Sequence, residues 1–275
     1  MNQRKALHTL GALLPPVLIS VALAEAGLAA TRALVSREVL EPSNGPVGDY
    51  LQTLGTVYAV LLAFVVFVVW SQFNDARTYV EREANELVDL FRCARGLPAT
   101  ACARVQKRLS AYVKGVLERE WDAMACGDMR VLVQLSELLD GLWDDMHAVG
   151  PDTEGEKTIY AEMLARFNDL SDARTNRLTS AQLRIPLAMK FLLYTGAVVM
   201  VGSLWLFAID RFWVHAVLTG ALAGALSHVL YLVHDLDDCF GGDWQVPRAA
   251  FLRVQHYIET CPPHPAHRSS APPAA

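Results

Sequence analysis

The sequence predicts an all-α, four-span integral membrane protein with a water-exposed helical bundle formed partly by extensions of the second and third spans. Three observations predict it. Hydrophobic residues make up 53% of the 275 residues, and the mean hydropathy of +0.24 is high for a soluble chain of this length. The apolar residues gather near residues 10–30, 54–70, 187–209 and 212–233, on the scale of bilayer crossings, around a polar middle. That middle carries the helical period and no alternating strand pattern of useful length. The chain therefore divides into residues 1–73 (first and second spans), 74–184 (helical domain), 185–233 (third and fourth spans), 234–261 (acidic post-membrane segment) and 262–275 (a Pro- and Ala-rich tail, read as disordered).

The start admits two readings. Arg4 and Lys5 before an apolar stretch, with Ala22-Leu23-Ala24 further on, imitate a cleavable signal peptide. Alternatively a retained first span runs to about Leu34, kinked at Pro15-Pro16 and holding Glu25 inside it. A carboxylate within a span is costly, so Glu25 should be paired, protonated or turned to a wet path; Arg32 follows along the same face. The second span covers about Gln52 to Phe73, after a loop over 36–50, and Trp70 and Phe73 suit the membrane boundary. Beyond it the period stays helical. Val80, Ala84, Leu87, Val88 and Phe91 form one apolar stripe, charges occupy the other faces, and nothing breaks the helix before Gly96-Leu97-Pro98. The span thus continues into water as a stalk.

Amphipathic helices follow over about 101–125, 129–149 and 155–184, with breaks at Gly127-Asp128 and Gly150-Pro151-Asp152. Ile185-Pro186 opens the third span, which runs to about Ile209, and Val214 to Val233 forms the fourth. Gly220 and Gly224 give the fourth span a small-residue face for close helix contact. Arg4 and Lys5, then Arg77, Arg82, Arg92 and Arg95 after the second span, and Arg177 and Arg184 before the third, place both termini and the middle domain in the cytoplasm by the positive-inside rule. The expected location is a cell inner membrane. Five scattered cysteines without a CxxC pair read as reduced thiols, in keeping with that side. A net charge of −5 argues against a general nucleic-acid binder.

No enzyme signature is present: no nucleophile elbow, Walker loop, HExxH or EF-hand, so no catalytic residue is assigned. The densest polar cluster, YLVHDLDDCFGGDWQVP, follows the fourth span. Asp235, Asp237, Asp238 and Asp243, with His234, could gather oxygen ligands for Ca²⁺; the bland alternative is a solvated acidic helix end, or pairing with Arg77 or Arg184. In the second span Thr56, Val60 and Phe64 fall at i, i+4 and i+8 on one face. A ring of such residues from several subunits would form an apolar constriction that gates by wetting; the alternative is ordinary lipid-facing or packing residues. His215 and His228 read as packing or interfacial residues.

Several segments together resemble the bestrophin-like domain family: LLAF at 61–64, FNDAR at 73–77, EANEL at 83–87 with Arg95 and Leu97-Pro98, the Ile-Pro before the third span, and DLDDCFGG at 235–242 with Val246-Pro247. The resemblance spans about residues 10–255. Glu25-x-Gly27 also looks like that family's pattern and favours the retained first span. The family is distantly similar to bestrophins, pentameric anion channels whose second span lines a hydrophobic neck and whose last span ends in an acidic Ca²⁺-binding turn. The resemblance implies a homo-oligomer in the lipid bilayer, small anions as permeants, Phe64, Val60 and Thr56 at the neck, and Asp235 to Asp243 at the acidic turn. Thr56 is polar where a bulky apolar neck residue is expected, and Cys239 stands where the family usually has Pro. The expected function is an oligomeric anion-selective channel; the alternative is a membrane-anchored helical scaffold or regulator without a pore.

Overall fold

The computed structural model describes residues 3–261, with the side chains of residues 3–10 and 129 left out. The side chains of Arg4 and Lys5 and the tail 262–275 therefore lie outside the described residues. Every described element is helical, and four helices are long and apolar enough to cross a membrane. The chain separates into two compact units: one holds residues up to Phe73, Arg184–Asp238 and Gly242–Trp244, and the other is built from Asn74–Leu183, Cys239–Gly241 and the residues from Gln245 onward.

The first unit holds the candidate spans. Helix α1 runs Gln3–Leu34 without interruption at Pro15 and Pro16. A short helix α2, Arg37–Leu40, and a 3₁₀ turn, Glu41–Ser43, lead directly into α3, Asn44–Cys93. The expected loop over 36–50 is thus mostly helical, and α3 starts eight residues before Gln52. Pro46 falls in its first turn, where the missing N–H costs nothing, and the Asn44 side chain accepts from the Ala208 N–H at 2.8 Å. Helix α8 (Leu187–Trp205) ends four residues before the expected Ile209, and α9 is Phe212–Leu236.

Close contact and hydrogen bonds, rather than water exclusion, hold helices together in lipid. The small-residue face of α9 is used within the chain: a Cβ on Gly220 or Gly224 would lie 3.5 Å from Val21 of α1. Gly27 lies against the Trp205 ring, which a Cβ there would meet at 2.3 Å. Tyr58, Val65 and Val69 of α3 form a core with Leu193, Ala197 and Met200 of α8 and with Leu230 and Val233 of α9. Within it the buried Tyr58 hydroxyl donates to the Leu193 carbonyl at 2.8 Å. His215, fully buried, bonds the Leu204 carbonyl through Nε2 and so joins the end of α8 to the start of α9.

The second unit contains the stalk end of α3 together with α4 (Ala99–Gly115), α5 (Trp121–Cys126), α6 (Met129–His147), α7 (Glu154–Gln182) and α10 (Ala249–Thr260). Gly127, at φ 71°, ends α5, and Asp128 caps α6 through the Arg130 N–H. Thr153 and Glu156 form a capping box at the start of α7. The amphipathic run expected over 101–125 is interrupted: Val116–Glu120 is a π-helical turn. Val116, Leu117, Glu120 and Trp121 are all buried there. Trp121 meets Phe240 and Phe251 edge-on at 5.5 and 5.9 Å. Helix α10 lies inside the segment read only as acidic and post-membrane.

Candidate functional site

Helix α3 is unbroken at Trp70. Its 50 residues amount to about 75 Å of helical rise. Within the first unit one side of it is packed and the other is not. Val65 and Val69 are fully buried, whereas Val60 is 68% and Phe64 58% exposed. Thr56, Val57, Phe67 and Trp70 are exposed with them, extending one stripe along the helix. The Thr56 hydroxyl donates back to the Gln52 carbonyl at 2.9 Å, which satisfies it within the helix. A concavity of about 500 Å³ lies away from that stripe among α1, α8 and α9, lined by Ser20, Leu23, Trp205, Ser227 and Leu230.

The four acidic residues after α9 each have protein partners. Asp235 accepts from the backbone N–H groups of Asp243 and Trp244 at 2.7 and 2.9 Å. Asp237, 2% exposed, accepts from the Ile185 N–H at 2.7 Å and pairs with Lys190 at 2.6 Å. Asp238 pairs with Arg184 at 2.9 Å, and Asp243 accepts from the Tyr231 hydroxyl at 2.6 Å. Gly242 comes so close to Asp235 that a Cβ would sit 2.6 Å from its carbonyl oxygen. Of the alternatives open for this cluster, pairing with Arg184 is present. Among the described residues no group of three or more His, Cys, Asp or Glu is placed to hold a metal ion.

Glu25 is half-buried against α9, with one carboxylate oxygen 3.1 Å from the Cβ position of Gly220. Arg32 is not its partner. That guanidinium donates to the carbonyls of Ile209 and Asp210 at 3.2 and 3.4 Å and lies over the Phe212 ring. Seven residues of helix place Glu25 and Arg32 about 10 Å apart along its axis.

The second unit encloses a charged cluster. Arg177, fully buried, donates to Glu83 at 2.5 and 3.0 Å and to Glu120 at 2.8 Å. Glu120 also accepts from Arg174 at 2.5 Å, and Glu83 from the Tyr112 hydroxyl at 2.6 Å. Burial acts to lower the Arg177 pKa, but the Glu83 and Glu120 charges outweigh it and hold the guanidinium well above its ordinary value. Burial, with Glu83 and Glu120 adding to it, pushes the Tyr112 phenol well above its ordinary range. Two outer pairs, Arg82 with Asp169 and Arg166 with Glu86, continue the seam between α3 and α7.

The Bestrophin-like domain model matches residues 18–251. The chain belongs to the bestrophin-like domain family. No curated protein matches the sequence. Among solved structures, two point variants of a bacterial bestrophin homologue from Klebsiella pneumoniae are similar in fold. One has a TM-score of 0.68 at 16% identity, covering 88% of this chain and 97% of that one. The other has a TM-score of 0.67 at 18% identity, covering 90% and 99%. The same homologue phased on zinc gives a TM-score of 0.61 at 17% identity over 88% and 96%.

In this bestrophin-like chain the residues that carried the resemblance have identifiable work. Glu83 of EANEL enters the buried charge cluster, Asp235 closes the loop through Gly242, and Gly27 receives Trp205. Sequence reasoning missed Glu120, Arg174 and the paired role of Arg177, which it counted only as a charge beside the membrane. The one signal that could have found Glu120 was its place beside Trp121 and four residues after Val116, on the apolar face of that run.

Proposed function

We propose that this protein is one subunit of an oligomeric ion channel, anion-selective, whose neck is lined by Thr56, Val60 and Phe64. The carrying observation is the exposed side of α3. Val65 and Val69 seat that helix on its own chain, while Val60 and Phe64 point away and remain open to copies of the same helix around an axis. A ring of such side chains makes a dry constriction that conducts only when wetted. Thr56, exposed and with its hydroxyl already bonded to the Gln52 carbonyl, continues that ring. Farther along α3, Arg77 is exposed, and Glu81, its nearest candidate counter-charge on the helix, is held instead by Arg253. A ring of exposed guanidinium groups attracts anions. The same reading puts the second unit in the cytoplasm, following the arginine-rich flanks of α3 and α7.

Purified protein in liposomes with an anion-sensitive dye tests the proposal. Wild type should carry anion flux, Phe64→Ala should raise it, and Arg77→Glu should lower the preference for anions over cations. No flux from either wild type or Phe64→Ala removes the channel reading. A monomer or an axis-free dimer in detergent would support the pore-less scaffold in its place.

A further inference from the structure

We propose that the acidic turn after α9 is latched by the chain's own cations, Lys190 and Arg184, and that it neither needs nor takes up a divalent ion. A Ca²⁺ cage needs 6–8 oxygens converging on one point. Here the carboxylates are directed to separate donors. Both oxygens of Asp235 are engaged, by the N–H groups of Asp243 and Trp244, and both oxygens of Asp237 are engaged, by the Ile185 N–H and by Lys190. Asp238 has Arg184, and one oxygen of Asp243 has the Tyr231 hydroxyl. Recruiting them to a common ion would break a salt bridge to a nearly buried carboxylate and strip two backbone amides of their acceptor.

The latch has a defined mechanical role. Asp237 sits where α8 begins: it accepts from the residue before Pro186, and its second oxygen holds Lys190 in the first turn. A carboxylate there also complements the positive end of the α8 dipole. Arg184, just before that start, holds Asp238 just past the end of α9. Two ion pairs therefore tie the start of the third span to the residues just past the end of the fourth. The inference concerns this joint alone and stands whether or not the protein forms a pore.

Thermal unfolding of the full chain in detergent tests it, read by intrinsic fluorescence in excess EDTA and in about 1 mM CaCl₂, the weak end of protein Ca²⁺ sites. Wild type should shift by less than about 1 °C between the two, where a ligand at 100 times its Kd would move Tm by several degrees. Lys190→Met and Arg184→Gln should each unfold at lower temperature, by the same amount with and without Ca²⁺, and Lys190→Arg should retain most of the wild-type Tm. Equilibrium dialysis of wild type against radioactive Ca²⁺ should show no stoichiometric uptake, and it decides the matter even if the variants do not fold. A Ca²⁺-dependent rise in the wild-type Tm, one bound Ca²⁺ per chain, a Lys190→Met protein as stable as wild type, or an equal loss in Lys190→Arg would overturn the proposal.

Discussion

Arg177→Met is the sharpest perturbation this structure offers. The guanidinium is fully buried and makes three hydrogen bonds to two carboxylates, with the Met124 sulfur at 3.0 Å as a further contact. Methionine conserves much of the volume but none of the charge. Glu120 would keep Arg174 at 2.5 Å, so its charge stays compensated. Glu83 would keep only the Tyr112 hydroxyl, leaving one carboxylate at 0% exposure without a cation. Breaking a buried pair from one side costs about 3–5 kcal/mol. For a unit of this size that lowers Tm by roughly 10–15 °C. Removing both partners should be far milder, because Glu83→Gln/Arg177→Met leaves no orphan charge; its loss should fall well below that of Arg177→Met alone. Arg82→Met, which breaks the pair of exposed groups with Asp169, is the control and should cost about 0.5 kcal/mol or less. The measurement is thermal unfolding in detergent, followed by tryptophan fluorescence. If Arg177→Met unfolds within a few degrees of Arg82→Met, or if the double variant is worse than Arg177→Met, the cluster is not a coupled, desolvated charge set.

Three further outcomes are expected. Trp121→Ala removes the ring that meets Phe240 and Phe251 and should destabilise by about 3–5 kcal/mol in chemical unfolding, against a much smaller loss for the part-exposed Trp143→Ala. Tyr58→Phe deletes the hydrogen bond to the Leu193 carbonyl but keeps the ring, and should cost only about 0.6–1 kcal/mol in a steric-trapping measurement of the spans, as is usual for such bonds in lipid. The Tyr112 phenol is raised above its ordinary value of 10.0, so its neutral form contributes stability that is full below that pH and is lost as pH rises through the folded-state value. Wild type should therefore unfold more readily as pH climbs above about 10, and Tyr112→Phe should flatten that slope in a Tm-against-pH series.

Residue pattern alone made legible the helical class, the four apolar segments, the uninterrupted helix from the second span to about Arg95, and the breaks at Gly127 and Pro151. Each of these follows from composition and period over ten or more residues, which local hydrophobicity and backbone sterics dictate wherever the chain folds. The segment 36–50 escaped because its Gly and Pro residues read as loop, yet a proline in a first turn is no barrier to a helix. The π turn at Val116–Glu120 escaped for a different reason. A π turn is stabilised by the tertiary contacts around it, and here Glu120, in that turn, reaches Arg174 and Arg177, more than 50 residues away. The candidate site divides in the same way. The spacing of Thr56, Val60 and Phe64 along one face was legible, but their exposure was not, because only the packing of Val65 and Val69 decides which side of α3 is left open. The acidic turn was visible as a run of carboxylates, while the choice between a cation site and a set of internal partners lay with Lys190, Arg184 and two backbone amides. Pair energies depend on distances of a few ångströms between residues far apart in sequence, and only the tertiary structure sets those distances.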